Sequence, residues 1–206
     1  MSPRDASFNL PNALTVLRIF LVPLLVVVLL TRFEGHVYLG SAIFGLAVLT
    51  DYLDGYFARR RNEVTRLGIL LDPLADKLLV STALIVLLVS PYPRVPGFEG
   101  LEIARIPAWA TWMVVVIVGR ELAVTGLRSI ASAGGRVMAA TWLGKVKALC
   151  QNVAIGALLF PADTLGVAHQ VGMSLLFVAT ALTLASGYLY FRDYFGGVGP
   201  SEGQGT

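Results

Sequence analysis

The chain has 206 residues, of which 56% are apolar and only 14% charged, and its mean hydropathy is +0.73. An ordinary soluble domain carries about 25% charged residues, so a soluble enzyme is excluded, as are a disordered chain and a disulfide-built scaffold. The net charge of +3 does not point to nucleic acid, because the cations lie beside apolar runs.

Taken in chain order, Arg4 to Pro11 mixes charge with Phe8 and Leu10 and predicts a short helix along the inner membrane interface. Val16 to Leu30 carries only Arg18, and Val37 to Thr50 carries no charge. The runs Leu78 to Tyr92, Ile106 to Gly119, Ala148 to Ala162 and Thr164 to Phe191 are also uncharged. A helix needs about 20 residues to span the hydrocarbon, and these runs are too continuous for alternating barrel strands. The expectation is an all-α polytopic membrane protein with six transmembrane helices, near 14–32, 37–60, 66–90, 105–130, 142–161 and 166–191. They form one domain over 1–195. The Gly-rich tail 196–206 reads as disordered, and Cys150 as a small buried residue in an apolar run.

Arg18 inside the first run, with no small-residue cleavage site after it, argues for a retained helix and against a signal peptide. With the N-terminus inside, thirteen basic residues fall at inner helix ends and three, Arg32, Arg94 and Arg105, at outer ends. Both termini are therefore expected on the cytoplasmic side. His36 and His169 fall near the outer loops.

Residues 50–77 hold four aspartates within membrane helices, where ionisable groups by default mark function. Asp51 and Asp54 are i,i+3, and Asp72 and Asp76 are i,i+4, so each pair shares a helix face. The polar turn from Arg60 to Arg66 makes the two helices an antiparallel hairpin. Asp51 and Asp76 lie about twelve residues from its middle, and Asp54 and Asp72 about nine, so the pairs sit at matching depths at about 1.5 Å per residue. Four converging carboxylates repel unless neutralised, and an all-oxygen set suits Mg²⁺ or Mn²⁺. The plain alternative pairs each aspartate with Arg59, Arg66 or Lys77. The facing spacings of four such residues favour the metal reading. Gly55, Ala58 and Gly68 lie near these faces and leave room for a bulky group. Gly40, Ser41 and Gly45 read as close helix packing through small residues.

The pattern Asp51-x-x-Asp54-Gly55-x-x-Ala58-Arg59, eight residues, then Gly68-x-x-x-Asp72-x-x-x-Asp76 resembles the signature of the CDP-alcohol phosphotransferases without a departure. It fixes eight positions across 26 residues. The flanks resemble those of the bacterial phosphatidylglycerophosphate synthases within that family. They are Asn9-Leu10-Pro11-Asn12-Ala13-Leu14-Thr15-Val16-Leu17-Arg18, Leu71 to Lys77, Gly119-Arg120-Glu121, Leu127-Arg128 and Trp142-Leu143-Gly144-Lys145-Val146-Lys147. Together they cover most of residues 9 to 150, whereas the last helix is similar mainly in hydropathy.

The resemblance implies a bacterial inner-membrane enzyme, with its site on the cytoplasmic side. It transfers a phosphatidyl group from CDP-diacylglycerol to glycerol 3-phosphate and releases CMP. It implies two divalent cations, Mg²⁺ or Mn²⁺, on Asp51, Asp54, Asp72 and Asp76, with Asp76 also the general base. Gly55, Ala58, Arg59 and Gly68 are then expected to hold the donor, and Asn12, Thr15 and Arg18 to line its cytidine side. Arg120, Arg128, Lys145 and Lys147 are expected to hold the acceptor's phosphate. Lys145 and Lys147 straddle their helix, so one of them is expected to point inward. A homodimer is implied as well.

Within the family the acceptor could instead be an inositol phosphate, phosphatidylglycerol or serine. The cationic cluster favours a phosphorylated acceptor, and the flanks favour glycerol 3-phosphate. A prenyltransferase is disfavoured by six spans and a single aspartate hairpin. A divalent-cation transporter is disfavoured by outer helix halves almost without polar residues.

Overall fold

The structure, a computed structural model, describes residues 10–31, 33–61, 66–90, 105–133, 142–160 and 165–195. Among these there are six α-helices and no strand: α1 (Leu10–Leu30), α2 (His36–Arg61), α3 (Arg66–Val89), α4 (Thr111–Ala133), α5 (Trp142–Leu159) and α6 (Leu165–Phe195). Long apolar segments adopt helix because lipid offers no partner for the backbone, so every N–H and C=O must be satisfied within the segment.

Among the described residues, four helices are long and apolar enough to cross a membrane, within Ala13–Leu30, His36–Leu53, Ala108–Ala131 and Val167–Phe195. The expectation of six crossing helices is met by length and composition for these four. The other two carry the charges: α3 contains Arg66, Asp72, Asp76 and Lys77, and α5 has only 18 residues, with Lys145 and Lys147 near its start. Large apolar side chains point outward along the bundle, among them Phe20, Val115, Leu122 and Phe177. That surface fits lipid as solvent.

The α1–α2 connection is tight. Gly35 takes φ +81, a left-handed conformation open to glycine at no steric cost. His36 Nδ1 lies 2.6 Å from the Phe33 carbonyl oxygen, and the ring is buried. α1 packs against α2 and α3, and α6 against α5 and α4. Leu25 and Leu29 of α1, Leu84 and Leu87 of α3, Ile117 of α4 and Ile155 and Leu158 of α5 form the sequestered centre.

Lipid tails are as apolar as leucine, so close approach and polar contacts must hold such a bundle together. A Cβ at Gly40 would collide with the Leu29 side chain, so α1 and α2 meet there through a glycine. Gly45, read alongside it, has open space instead. Ser41 Oγ donates to the Leu159 carbonyl at 2.9 Å and ties α2 to the end of α5.

Two expectations need adjustment. The fourth helix does not begin at 105: Pro107 is extended (φ −61, ψ 152) and leads into a 3₁₀ turn at Ala108–Ala110, and α4 starts only at Thr111. Proline lacks the N–H and the conformational freedom to continue a helix. Arg105 is fully buried, and its Nη1 donates to the Leu158 carbonyl at 2.8 Å, beside the last turn of α5. At the amino end, α1 already begins at Leu10, and the expected interfacial helix over 4–11 otherwise falls on residues 1–9, outside the described residues. The tail 196–206 also lies outside them.

Candidate active site

The site begins with a charge that the bundle cannot leave alone. Arg18 of α1 is fully buried, and its Nη1 lies 2.9 Å from Oδ1 of Asp51 on α2, whose side chain is 42% exposed. Among the described side chains, the cation paired with Asp51 is therefore on α1; those of Arg59 and Arg66 lie outside them. Asp76 of α3 is half-buried, and the charged groups acting on it are Asp51, Lys77, Arg18 and Glu121. One carboxylate from each arm of the hairpin thus faces a common region.

Asp54 lies one turn after Asp51 on α2, and Asp72 one turn before Asp76 on α3. The side chains of Asp54, Gly55, Ala58, Arg59, Gly68 and Asp72 lie outside the described residues. Among the described side chains, no group of three His, Cys, Asp or Glu gathers as a metal site. The donors that are described fit a hard divalent cation. Asp51 and Asp76 offer carboxylate oxygens at adjacent helices, and two such groups brought together favour a shared counter-cation.

Beside Asp76 opens a cavity of about 290 Å³, at the small end of ligand pockets. Asp76 and Lys77 form its α3 wall, Arg120, Glu121 and Arg128 its α4 wall, and Lys145, Lys147, Gln151 and Asn152 its α5 wall. All four cations expected at the acceptor's phosphate thus meet around one space that also reaches Asp76.

The α4 and α5 walls are joined through Glu121. Lys147 Nζ donates to Glu121 Oε1, and Arg120 Nη1 lies 3.4 Å from the same oxygen. Lys147 is buried and Lys145 exposed, and both line the cavity: Lys147 lies within the bundle and Lys145 stands at the rim. Charges this deep persist only when paired, and Glu121 supplies the pairing while leaving the cavity rich in cations.

α6 supplies what the sequence reading missed. Tyr190 lines the cavity, and the guanidinium carbons of Arg120 and Arg128 each lie 5.8 Å from its ring centroid, a cation–π arrangement. Ser186 Oγ accepts a hydrogen bond from Arg120 Nη2 at 2.7 Å. Gln151 Nε2 reaches Thr183 Oγ1 at 3.5 Å. The available signal was spacing: Thr183, Ser186 and Tyr190 recur at three and four residues on a mainly apolar helix.

Of the residues expected on the cytidine side, Thr15 and Arg18 do not line this cavity. Thr15 is fully buried and Arg18 is engaged with Asp51, while the side chain of Asn12 lies outside the described residues.

Residues 8–185 match the family model described as CDP-alcohol phosphatidyltransferase. The chain belongs to this family. Curated relatives in the family include the Bacillus subtilis (strain 168) CDP-diacylglycerol–glycerol-3-phosphate 3-phosphatidyltransferase, 40% identical over 89% of this chain and 94% of the relative. Proteins of the same name from Salmonella choleraesuis (strain SC-B67) and Shigella flexneri are 38% and 36% identical, each over 87% of this chain and 91% of the relative. CDP-alcohol phosphotransferases generally use divalent metal ions, which agrees with the oxygen-donor set at Asp51 and Asp76.

Proposed function

We propose that this chain is a CDP-diacylglycerol–glycerol-3-phosphate 3-phosphatidyltransferase. The acceptor's hydroxyl oxygen attacks the phosphatidyl phosphorus, the bond from that phosphorus to the CMP oxygen breaks, and phosphatidylglycerophosphate and CMP leave. The observation that carries the reading is the cavity joining Asp76 to Arg120, Arg128, Lys145 and Lys147. A group that can take a proton and a cluster that can hold a phosphate line one small space, as a phosphorylated alcohol requires.

Asp51, Asp54, Asp72 and Asp76 hold two divalent cations, Mg²⁺ or Mn²⁺. When bound, these supply charge neutralisation at the diphosphate and at the attacking and leaving oxygens. Asp76 takes the proton of the acceptor hydroxyl. Arg59 binds the donor diphosphate, with Gly55, Ala58 and Gly68 leaving space for it and Asn12, Thr15 and Arg18 toward the cytidine. Arg120, Arg128, Lys147 and the rim residue Lys145 hold the acceptor's phosphate and orient its hydroxyl toward Asp76. Orientation and charge stabilisation then carry most of the rate.

In this reading all six helices cross the bacterial inner membrane, both termini and the site face the cytoplasm, and the enzyme is a homodimer. The diacyl chains of the donor stay in lipid while its headgroup reaches the site. The test is product analysis: the detergent-purified protein, given CDP-diacylglycerol, glycerol 3-phosphate and Mg²⁺, forms phosphatidylglycerophosphate. A metal-dependent turnover that leaves glycerol 3-phosphate unconsumed would refute the acceptor.

A further inference from the structure

By composition α6 is an apolar crossing helix, yet three of its positions meet the cations of the cavity. Ser186 is buried, and its hydroxyl hydrogen goes to the Thr183 carbonyl at 3.2 Å. Its oxygen is therefore turned outward as an acceptor, and Arg120 Nη2 fills it at 2.7 Å. The next residue, Gly187, carries no side chain where Arg120 passes: a Cβ there would lie 3.2 Å from Arg120 Cγ and 3.4 Å from its Nε. One turn further on, the Tyr190 ring lies under the Arg120 and Arg128 guanidinium groups. The Arg120 stem thus rests in a notch and one edge of its fork is tethered, while Glu121 takes another.

A free arginine side chain loses much rotamer entropy when it is fixed on a ligand. One already seated avoids most of that loss, and the acceptor's phosphate then meets a guanidinium in place. We propose that Ser186 and Gly187 are positioning residues for Arg120, setting how tightly the enzyme holds the phosphate of its acceptor. This inference rests on the function proposed above.

The test is a double-mutant cycle on the full-length protein in detergent, following CMP release against glycerol 3-phosphate and CDP-diacylglycerol in turn. In the unaltered background, Ser186→Ala is expected to raise the KM for glycerol 3-phosphate about tenfold, the loss of one charge-assisted hydrogen bond. The KM for CDP-diacylglycerol and the kcat at saturating acceptor stay unchanged. Gly187→Ala acts in the same direction, and Ser186→Thr, which keeps the hydroxyl, restores the KM. In an Arg120→Ala background, Ser186→Ala is expected to add nothing. An equal rise in both backgrounds, an equal rise in both KM values, or loss of folded protein with Ser186→Ala would overturn the inference, because Ser186 would then be serving the fold at large. Absence of CMP release by the unaltered protein with glycerol 3-phosphate would instead overturn the proposed function itself.

Discussion

Arg18 on α1 and Asp51 on α2 form an ion pair at 2.9 Å in which the cation is fully buried and the carboxylate is 42% exposed. The asymmetry gives Asp51 two duties. It is a proposed metal ligand, and it also neutralises a cation that the protein surrounds. Asp51→Ala therefore costs stability as well as turnover, about 2–3 kcal/mol, at the lower end for a broken buried pair because the carboxylate is partly solvated. Asp76 feels Arg18 and Lys77 as neighbouring charges, while the close contact of Arg18 is with Asp51, so Asp76→Ala is expected to lose turnover with a smaller loss of stability. Denaturation in detergent without metal compares the two; equal stability losses would remove the structural duty from Asp51.

The two lysines of α5 separate by depth. Lys147 is buried and paired with Glu121, while Lys145 is exposed at the rim. Lys147→Met is expected to raise the KM for glycerol 3-phosphate about 10- to 100-fold, as for a lost charge-assisted hydrogen bond. Lys145→Met should change it only a few-fold, and the KM for CDP-diacylglycerol should hold in both. A larger effect at Lys145 would place the phosphate nearer the rim.

Asp76 stands where the cavity meets the aspartate hairpin. Asp76→Asn keeps the shape and removes the base, so kcat is expected to fall about 10²- to 10⁴-fold with donor affinity largely kept. Asp54→Asn and Asp72→Asn should instead weaken metal binding along with turnover. Metal titrations of activity, with donor binding measured separately, distinguish the two patterns; near-normal turnover in Asp76→Asn would remove it as base.

Chelation provides an independent check. EDTA is expected to abolish CMP release, and Mg²⁺ or Mn²⁺ to restore it, because carboxylate oxygens are the only donors proposed. Activity that persists in EDTA would contradict the metal reading.

Much of this was legible in the sequence because charge inside apolar runs is costly and therefore conspicuous. Asp51, Asp76, Arg120 and Lys147 each stood out in that way, and the cavity brings the last three together. The Arg18–Asp51 pair was hidden because the relative rotation of α1 and α2 is set by packing, through contacts such as Gly40 on Leu29. The burial of Arg105 was hidden because a loop cation and a buried one look alike in sequence; Pro107 was the clue to the later helix start. The residues on α6 were missed because serine and threonine within a helix ordinarily bond their own backbone, as Thr180 and Thr183 do. Only the neighbouring α4 reveals that Ser186 also serves Arg120.

The central claim is that the space between Asp76 and the cationic walls takes a small phosphorylated alcohol and transfers a phosphatidyl group to it. The most direct test measures CMP release from CDP-diacylglycerol with glycerol 3-phosphate, inositol 1-phosphate, serine and phosphatidylglycerol offered separately. The account predicts release with glycerol 3-phosphate alone. Release with serine or phosphatidylglycerol, and none with glycerol 3-phosphate, would contradict it.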